Sequence, residues 1–407
     1  MSSSRGGLIG LGIGVGVAGA AAAAGLVADR VHRRRADALE TGASLVETPS
    51  RTLTVTATDG VALHVEVDEP AEHHDGGSQT DENGLERPTV VLSHGYCLTS
   101  ECWVFQRRYL RWAGYRVVVW DQRGHGRSGR GDPAASTIAQ LGEDLAAVIA
   151  AVAPDGPLAL VGHSMGGMTT MALGTLHPDL VRDRVVALGC ISTSAGGMPL
   201  ASGDFAATAG RLLLERLGPR VAGLFETRPE VLRSILSANS ELAEFLVERY
   251  SFASPVPRSV VRLTAKMLLG TNLTVMSSFT PAFIDYDQTG GLAAYSGCET
   301  LVFNGEQDIL TPPEHSEEIV RALPGAQHVI VRDAGHVIML EHPDLLNQQL
   351  DALVGRASTR EAEDIPAETV PRVRRVVTDV DKKRRIERGM QRKERTPAAR
   401  ARRSTAS

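Results

Sequence analysis

The sequence predicts an α/β domain: a mostly parallel, eight-stranded sheet with helices on both faces and a helical cap inserted between two of its strands. Three observations predict it. Short apolar runs without alternation recur along the middle of the chain, as strands buried on both faces require. Segments with helical spacing lie between those runs, and such alternation favours parallel strands joined by helices. One long interval carries helical spacing alone. The composition agrees, because 407 residues with 43% hydrophobic and 22% charged content suffice for one large core.

Residues 1–35 form an apolar segment and a basic flank. From Gly6 to Ala28, 23 residues pass without a charge, enough at about 1.5 Å per helical residue to cross a hydrocarbon layer of ~30 Å. Gly6, Gly10 and Gly14, and likewise Gly12 and Gly16, recur every fourth residue, the small-residue pattern through which membrane helices pair into homo-oligomers. Plain Gly/Ala bias explains the same pattern equally well. Arg30, Arg33, Arg34 and Arg35 follow the segment, against Arg5 alone before it. The positive-inside tendency therefore expects a membrane anchor with the remaining chain on the cytoplasmic side. A secretory signal peptide, cleaved to release the protein, is the alternative.

The core is expected over residues 52–193 and 288–356. Residues 52–58 and 61–67 are β-rich runs split by Asp59-Gly60, a hairpin signal. Residues 68–87 are polar and read as an exposed insertion; its His73, His74 and Asp75 lack the further ligands a metal site needs. Strands are then expected at 89–93, 116–120, 158–161, 185–188, 300–303 and 328–331. Helices are expected at 100–113, 138–153, 165–176, 314–322 and 343–354. Residues 194–287 are the expected cap, with helical spacing at 211–217, 230–236, 240–250 and 260–269, and its apolar side chains suit either an acyl pocket or simple packing on the core.

Residues 357–407 read as a solvated, disordered basic tail. From Pro371 onward fourteen Lys or Arg face only Asp379, Asp381, Glu387 and Glu394, so an acidic body is joined to a basic end in a chain of net charge −5. Anionic lipid headgroups are the functional alternative to a merely solvated tail. Nucleic acid ranks third, because the tail has no aromatic residue for base stacking. Cys97, Cys102, Cys190 and Cys298 are too few and scattered for a disulfide framework; reduced thiols are expected, with a Cys97–Cys102 bridge as the alternative.

Gly162-His163-Ser164-Met165-Gly166 follows an apolar run and opens a helical one, which is the context of a nucleophile elbow. A turn that tight lifts the Ser164 hydroxyl above the sheet edge and aims the Met165 amide, at a helix start, toward a developing oxyanion. Ser93-His94-Gly95-Tyr96 ends an earlier strand, and the Tyr96 amide is the expected second oxyanion donor. His94 itself reads as turn-stabilising. A serine needs a base, and the base needs a group that fixes its tautomer. Asn304-Gly305-Glu306-Gln307-Asp308 and Ala334-Gly335-His336 stand at two further strand ends, so His336 is the expected base and Asp308 the expected acid. Glu306 is the rival acid, and His315, His328 and His342 the rival bases.

With Asp121-Gln122-Arg123-Gly124-His125-Gly126-Arg127-Ser128 added to these segments, residues 52–354 resemble the α/β-hydrolase superfamily. The resemblance implies that the segment from Asp121 to Ser128 is mainly structural. It also implies acyl transfer, since relatives that open epoxides or displace halides carry Asp where Ser164 stands. The expected function is a membrane-associated carboxylesterase or lipase acting on a lipophilic small-molecule or lipid ester, without metal or organic cofactor. A thioesterase or a cofactor-free haloperoxidase or perhydrolase is the alternative, and a non-catalytic membrane-bound scaffold is the alternative of another class.

Overall fold

Nine strands form one sheet in the order β1-β2-β4-β3-β5-β6-β7-β8-β9 in the computed structural model of this protein, which describes residues 31–71, 86–196, 240–283, 286–359 and 373–395. The first eight strands are those the sequence predicts: β1 Arg51–Thr56, β2 Ala62–Asp68, β3 Thr89–Ser93, β4 Val117–Trp120, β5 Leu158–His163, β6 Val185–Ile191, β7 Glu299–Gly305 and β8 Gln327–Val331. β1 and β2 pair antiparallel, and so do β2 and β4; every later pairing is parallel. The β1–β2 turn closes through Ala57 N–H to Val61 O (2.8 Å) and Gly60 N–H to Ala57 O (2.9 Å). Gly60, at φ 86°, supplies the left-handed backbone that turn requires.

β3, β4 and β5 are buried at every position because helices cover both faces. The helices between and after the strands are α1 Val104–Trp112, α2 Ile138–Val152, α3 Met165–Leu176, α4 Pro178–Arg184, α8 Pro313–Ala322, the short α9 Ile338–Glu341 and α10 Pro343–Thr359. Thr137 caps α2 by accepting from the Gln140 amide at 3.1 Å, which satisfies one of the orphan donors of a helix start. α1 is fastened to the sheet by charge: Arg107, 4% exposed, donates to both oxygens of Asp68 and to Glu66 on β2 at 2.7–3.0 Å. Cap helices α5 Ser240–Ser251, α6 Arg258–Gly270 and α7 Leu273–Phe283 lie in sequence between β6 and β7. α7 was not expected from helical spacing, since Pro281 interrupts it. The expected cap helices at 211–217 and 230–236 lie outside the described residues, as do the apolar segment Gly6–Ala28 and the stretch from His73 to Asp75.

The basic tail differs from its reading as disordered. Its described part holds a ninth strand, β9 Val373–Val377, and helix α11 Val380–Arg395. β9 pairs parallel with β8 from Gln327↔Val373 to Val331↔Val377. It is an edge strand with Arg374 and Arg375 exposed, and charge on an exposed edge opposes pairing with another chain. Arg374 also bonds Glu317 of α8 at 2.9 Å.

The chain divides into two compact units, of which the larger spans Ser44–Ser254 and Ser259–Asp379 and contains the whole sheet. The smaller takes its described residues from 31–43, 255–258 and 380–395. Among the described residues no helix is long and apolar enough to cross a membrane. None of the four cysteines is in a disulfide.

Candidate active site

Ser164 stands between β5 and α3 with φ 51° and ψ −119°, a conformation that L side chains rarely adopt and that costs about 1–3 kcal/mol. The surroundings enforce it. A Cβ at Gly162 would lie 2.3 Å from the Gly166 carbonyl oxygen, and one at Gly166 would lie 2.2 Å from that of Ser93, so neither glycine can be replaced without moving backbone. Ser164 is tied to the strand beside it: its N–H donates to Ile191 O (3.0 Å) and its carbonyl accepts from Thr193 Oγ1 (2.7 Å).

Asp308 and His336 meet as the sequence expects. His336 Nδ1 lies 2.9 Å from Asp308 Oδ2 and 3.1 Å from Oδ1; since a carboxylate only accepts, Nδ1–H donates, and in the neutral ring Nε2 then keeps its lone pair. The Asp308 carboxylate is anchored by the Leu310 N–H (2.9 Å), the Thr311 N–H (3.0 Å) and the Thr311 hydroxyl (2.9 Å). Burial pushes the Asp308 carboxyl up, yet the charge and hydrogen bond of His336, with the two amides, hold it below the usual carboxylate range. The rivals lie elsewhere. Glu306 is exposed, His315 Nδ1 bonds Ser194 Oγ (3.0 Å), His328 Nε2 bonds Asn304 Oδ1 (2.9 Å), and His342 Nδ1 bonds Asp379 Oδ2 (3.0 Å).

His163, which the sequence reading passed over, links the elbow to the histidine loop. Its Nε2–H donates to the His336 carbonyl at 2.9 Å, and the two rings lie 4.8 Å apart. Burial, helped by the neighbouring His336 charge, lowers its pKa to about 3, so it stays neutral. The β3 turn packs on the same point: a Cβ at Gly95 would lie 2.6 Å from His163 Nδ1 and 3.1 Å from Ser164 Cβ. Tyr96, the residue after Gly95, is therefore set beside the elbow, where Met165 supplies the first amide of α3. First-turn amides have no acceptor within their helix. His94 is spent on holding the turn, its Nδ1–H donating to Gly95 O (2.7 Å) and its Nε2 accepting from Gln122 N–H (2.9 Å); burial lowers its pKa.

Two further groups escaped the sequence reading because their partners are distant in the chain. Glu341, 2% exposed, accepts from the Gly335 amide (2.7 Å), the Ala253 amide (2.9 Å) and both the amide and hydroxyl of Ser254 (2.5 and 2.7 Å). It thereby ties the loop before His336 to the end of cap helix α5. α7 closes over the elbow on the other side. Val275, Phe279 and Phe283 pack with Met165 and Met168, and Tyr96 joins them with its hydroxyl on Met276 O at 2.6 Å. The arrangement offers a serine on a strained turn, a histidine fixed by a buried carboxylate and an apolar wall beside them.

Residues 88–343 match the family model described as alpha/beta hydrolase fold. A putative carbamate hydrolase, RutD, of Caulobacter sp. is 26% identical over 281 residues, covering 67% of this chain and 93% of the relative. An (E)-2-((N-methylformamido)methylene)succinate hydrolase of Acinetobacter baylyi is 28% identical over 273 residues, 65% of this chain and 89% of that protein. Among solved structures, a hydrolase from Pseudomonas aeruginosa superposes with a TM-score of 0.55 at 25% identity, over 76% of this chain and 100% of its own. A thermophilic esterase from Thermogutta terrifontis does so with a TM-score of 0.54 at 24% identity, also over 76% and 100%.

Proposed function

The chain belongs to the alpha/beta hydrolase fold family, and from that premise we propose that this hydrolase cleaves a lipophilic carboxylic ester through an acyl-enzyme on Ser164. The observation that carries the reading is the Asp308–His336 hydrogen bond at 2.9 Å, joined through His163 to a strained serine turn. With Nδ1–H held by Asp308, His336 Nε2 is the base for the Ser164 hydroxyl. Ser164 Oγ attacks the ester carbonyl carbon, Nε2 takes its proton, and the amides of Tyr96 and Met165 hold the oxyanion. The tetrahedral adduct then collapses as His336 returns the proton to the leaving alcohol. Water, deprotonated by the same nitrogen, attacks the acyl-enzyme, and as that adduct collapses Nε2 returns the proton to the departing Ser164 Oγ and the acid is freed. The wall of Val275, Phe279, Phe283 and Met168 favours an apolar acyl group.

The test is labelling of the full chain with a fluorophosphonate probe beside Ser164→Ala and His336→Ala variants, followed by p-nitrophenyl esters of increasing chain length. Labelling lost in both variants, with turnover reduced by ~10⁴-fold or more, is expected, as is an optimum above the shortest acyl chains. Turnover surviving in Ser164→Ala would overturn the mechanism, and no labelling of folded wild-type protein would return the scaffold reading. A second reading, cleavage of a carbamate or amide C–N bond, is favoured by the names of the two relatives. There His336 would protonate an amine, and a faster rate on carbamate than on matched ester substrates would select it.

A further inference from the structure

The smaller unit joins two segments that stand almost at opposite ends of the chain. Within it the helical residues 31–39 run so close to α11 that a Cβ at Gly389 would lie 2.4 Å from the Ala38 carbonyl oxygen. Glycine is needed there for the approach. Ile386, Gly389 and Met390 lie on the more buried side of α11, whereas Lys383, Arg384, Glu387, Arg388, Gln391 and Arg392 are all exposed. Recurring at i, i+4 and i+8, those six make one stripe along the helix. Arg33, Arg34 and Arg35 are exposed on the other helix. The described residues of this unit hold twelve Lys or Arg against five Asp or Glu. Local pairing offsets part of that excess, as between Arg384 and Asp381 at 3.5 Å.

We propose that this basic two-helix surface binds the anionic headgroups of a lipid bilayer. Three facts on the molecule point there. Basic residues from both termini are gathered in one unit, which a merely solvated tail does not require. The uncharged stretch Gly6–Ala28 runs into the first of these helices with only Asp29 and Arg30 between, so the cationic surface sits where the chain changes from apolar to charged. No Phe, Tyr or Trp occurs among the unit's described residues, which leaves phosphate attraction without base stacking. Each basic residue near an anionic leaflet adds to the attraction, and the attraction fades with salt over a Debye length.

Co-sedimentation of the full chain with vesicles of neutral phosphatidylcholine, or of phosphatidylcholine with one-quarter phosphatidylglycerol, tests the proposal at low and high sodium chloride. Variants Arg34→Gln/Arg35→Gln, Arg384→Gln/Arg388→Gln and the fourfold combination accompany it, with circular dichroism and ester turnover as controls that all three should leave unchanged. The expected result is preferential binding to the anionic vesicles, weakened by salt, by either pair, and by on the order of 1000-fold in the fourfold variant. Equal binding to neutral vesicles, or binding unchanged in the fourfold variant, would show that the apolar stretch alone holds the membrane. Displacement from anionic vesicles by duplex DNA at equal phosphate would make the surface one for nucleic acid. Since Ser164 labelling is read separately, failure here leaves the hydrolase reading standing, and the converse holds.

Discussion

Glu341 shows how much a single buried side chain carries. Its two oxygens take four hydrogen bonds from the His336 loop and the cap, so Glu341→Ala leaves buried amides without acceptors at a cost of roughly 1–3 kcal/mol each. Such a change should lower Tm and lower kcat by at least about tenfold through a misplaced His336, whereas Glu341→Asp should recover part of both. Steady-state kinetics beside thermal melts would check it, and unchanged kcat in a destabilised Glu341→Ala protein would confine the residue to folding. Acid stability is also set residue by residue. For Glu66 burial pushes the carboxyl up, but bonds to His64 and the charges of Arg107 and Arg127 bring it to about 2, from an ordinary 4.5; Asp308 is depressed as well. Depressed acids contribute stability that is complete above their unfolded pKa and lost as pH falls through the folded one. Tm should therefore be flat above about pH 5 and fall between about 4.5 and 2, with a shallower fall in Glu66→Gln.

Elements bring these residues together, and two of them make distinct predictions. Arg107 fastens α1 to β2 through two buried carboxylates, so Arg107→Ala strands the Asp68 charge, leaves Glu66 to His64 and Arg127, and should cost ~3–5 kcal/mol, read from urea unfolding. β9 covers the β8 edge, and the following Asp379 bonds His342 next to Glu341. A chain ending before β9 should expose β8, aggregate more readily by light scattering and lose activity, whereas a purely solvated tail would be dispensable. The elements legible from sequence were those whose signal is local: β3 to β8 as apolar runs, the β1–β2 hairpin at Asp59-Gly60, and α3 after the serine turn. β9 was hidden because Arg374 and Arg375 make an edge strand look like part of a charge run. Ser164, Asp308 and His336 were legible by type, strand-end position and order. His163 and Glu341 were not, since their partners lie 173 and up to 88 residues away.

At the scale of the whole molecule, burial decides chemistry far from the site. Cys97, Cys102 and Cys190 are 4%, 0% and 0% exposed, and burial raises all three thiols, Cys97 and Cys190 to about 12. A thiol reagent should therefore modify no more than one cysteine, Cys298, in native protein and all four after denaturation. The position of the cap has a broader consequence. The chain leaves the sheet at β6 and re-enters it at β7, its immediate neighbour, so everything between is an insert whose length the sheet hardly feels, each doubling of a flexible loop costing only about 0.6 kcal/mol. Among the ties that hold that insert beside the reacting groups, two stand nearest the elbow and the His336 loop: the Glu341 clamp on Ala253 and Ser254 and the bond from Tyr96 to Met276. A lineage that keeps those two anchor points is free to rewrite the rest of the insert, so diet can drift across generations while the cutting tool is inherited intact.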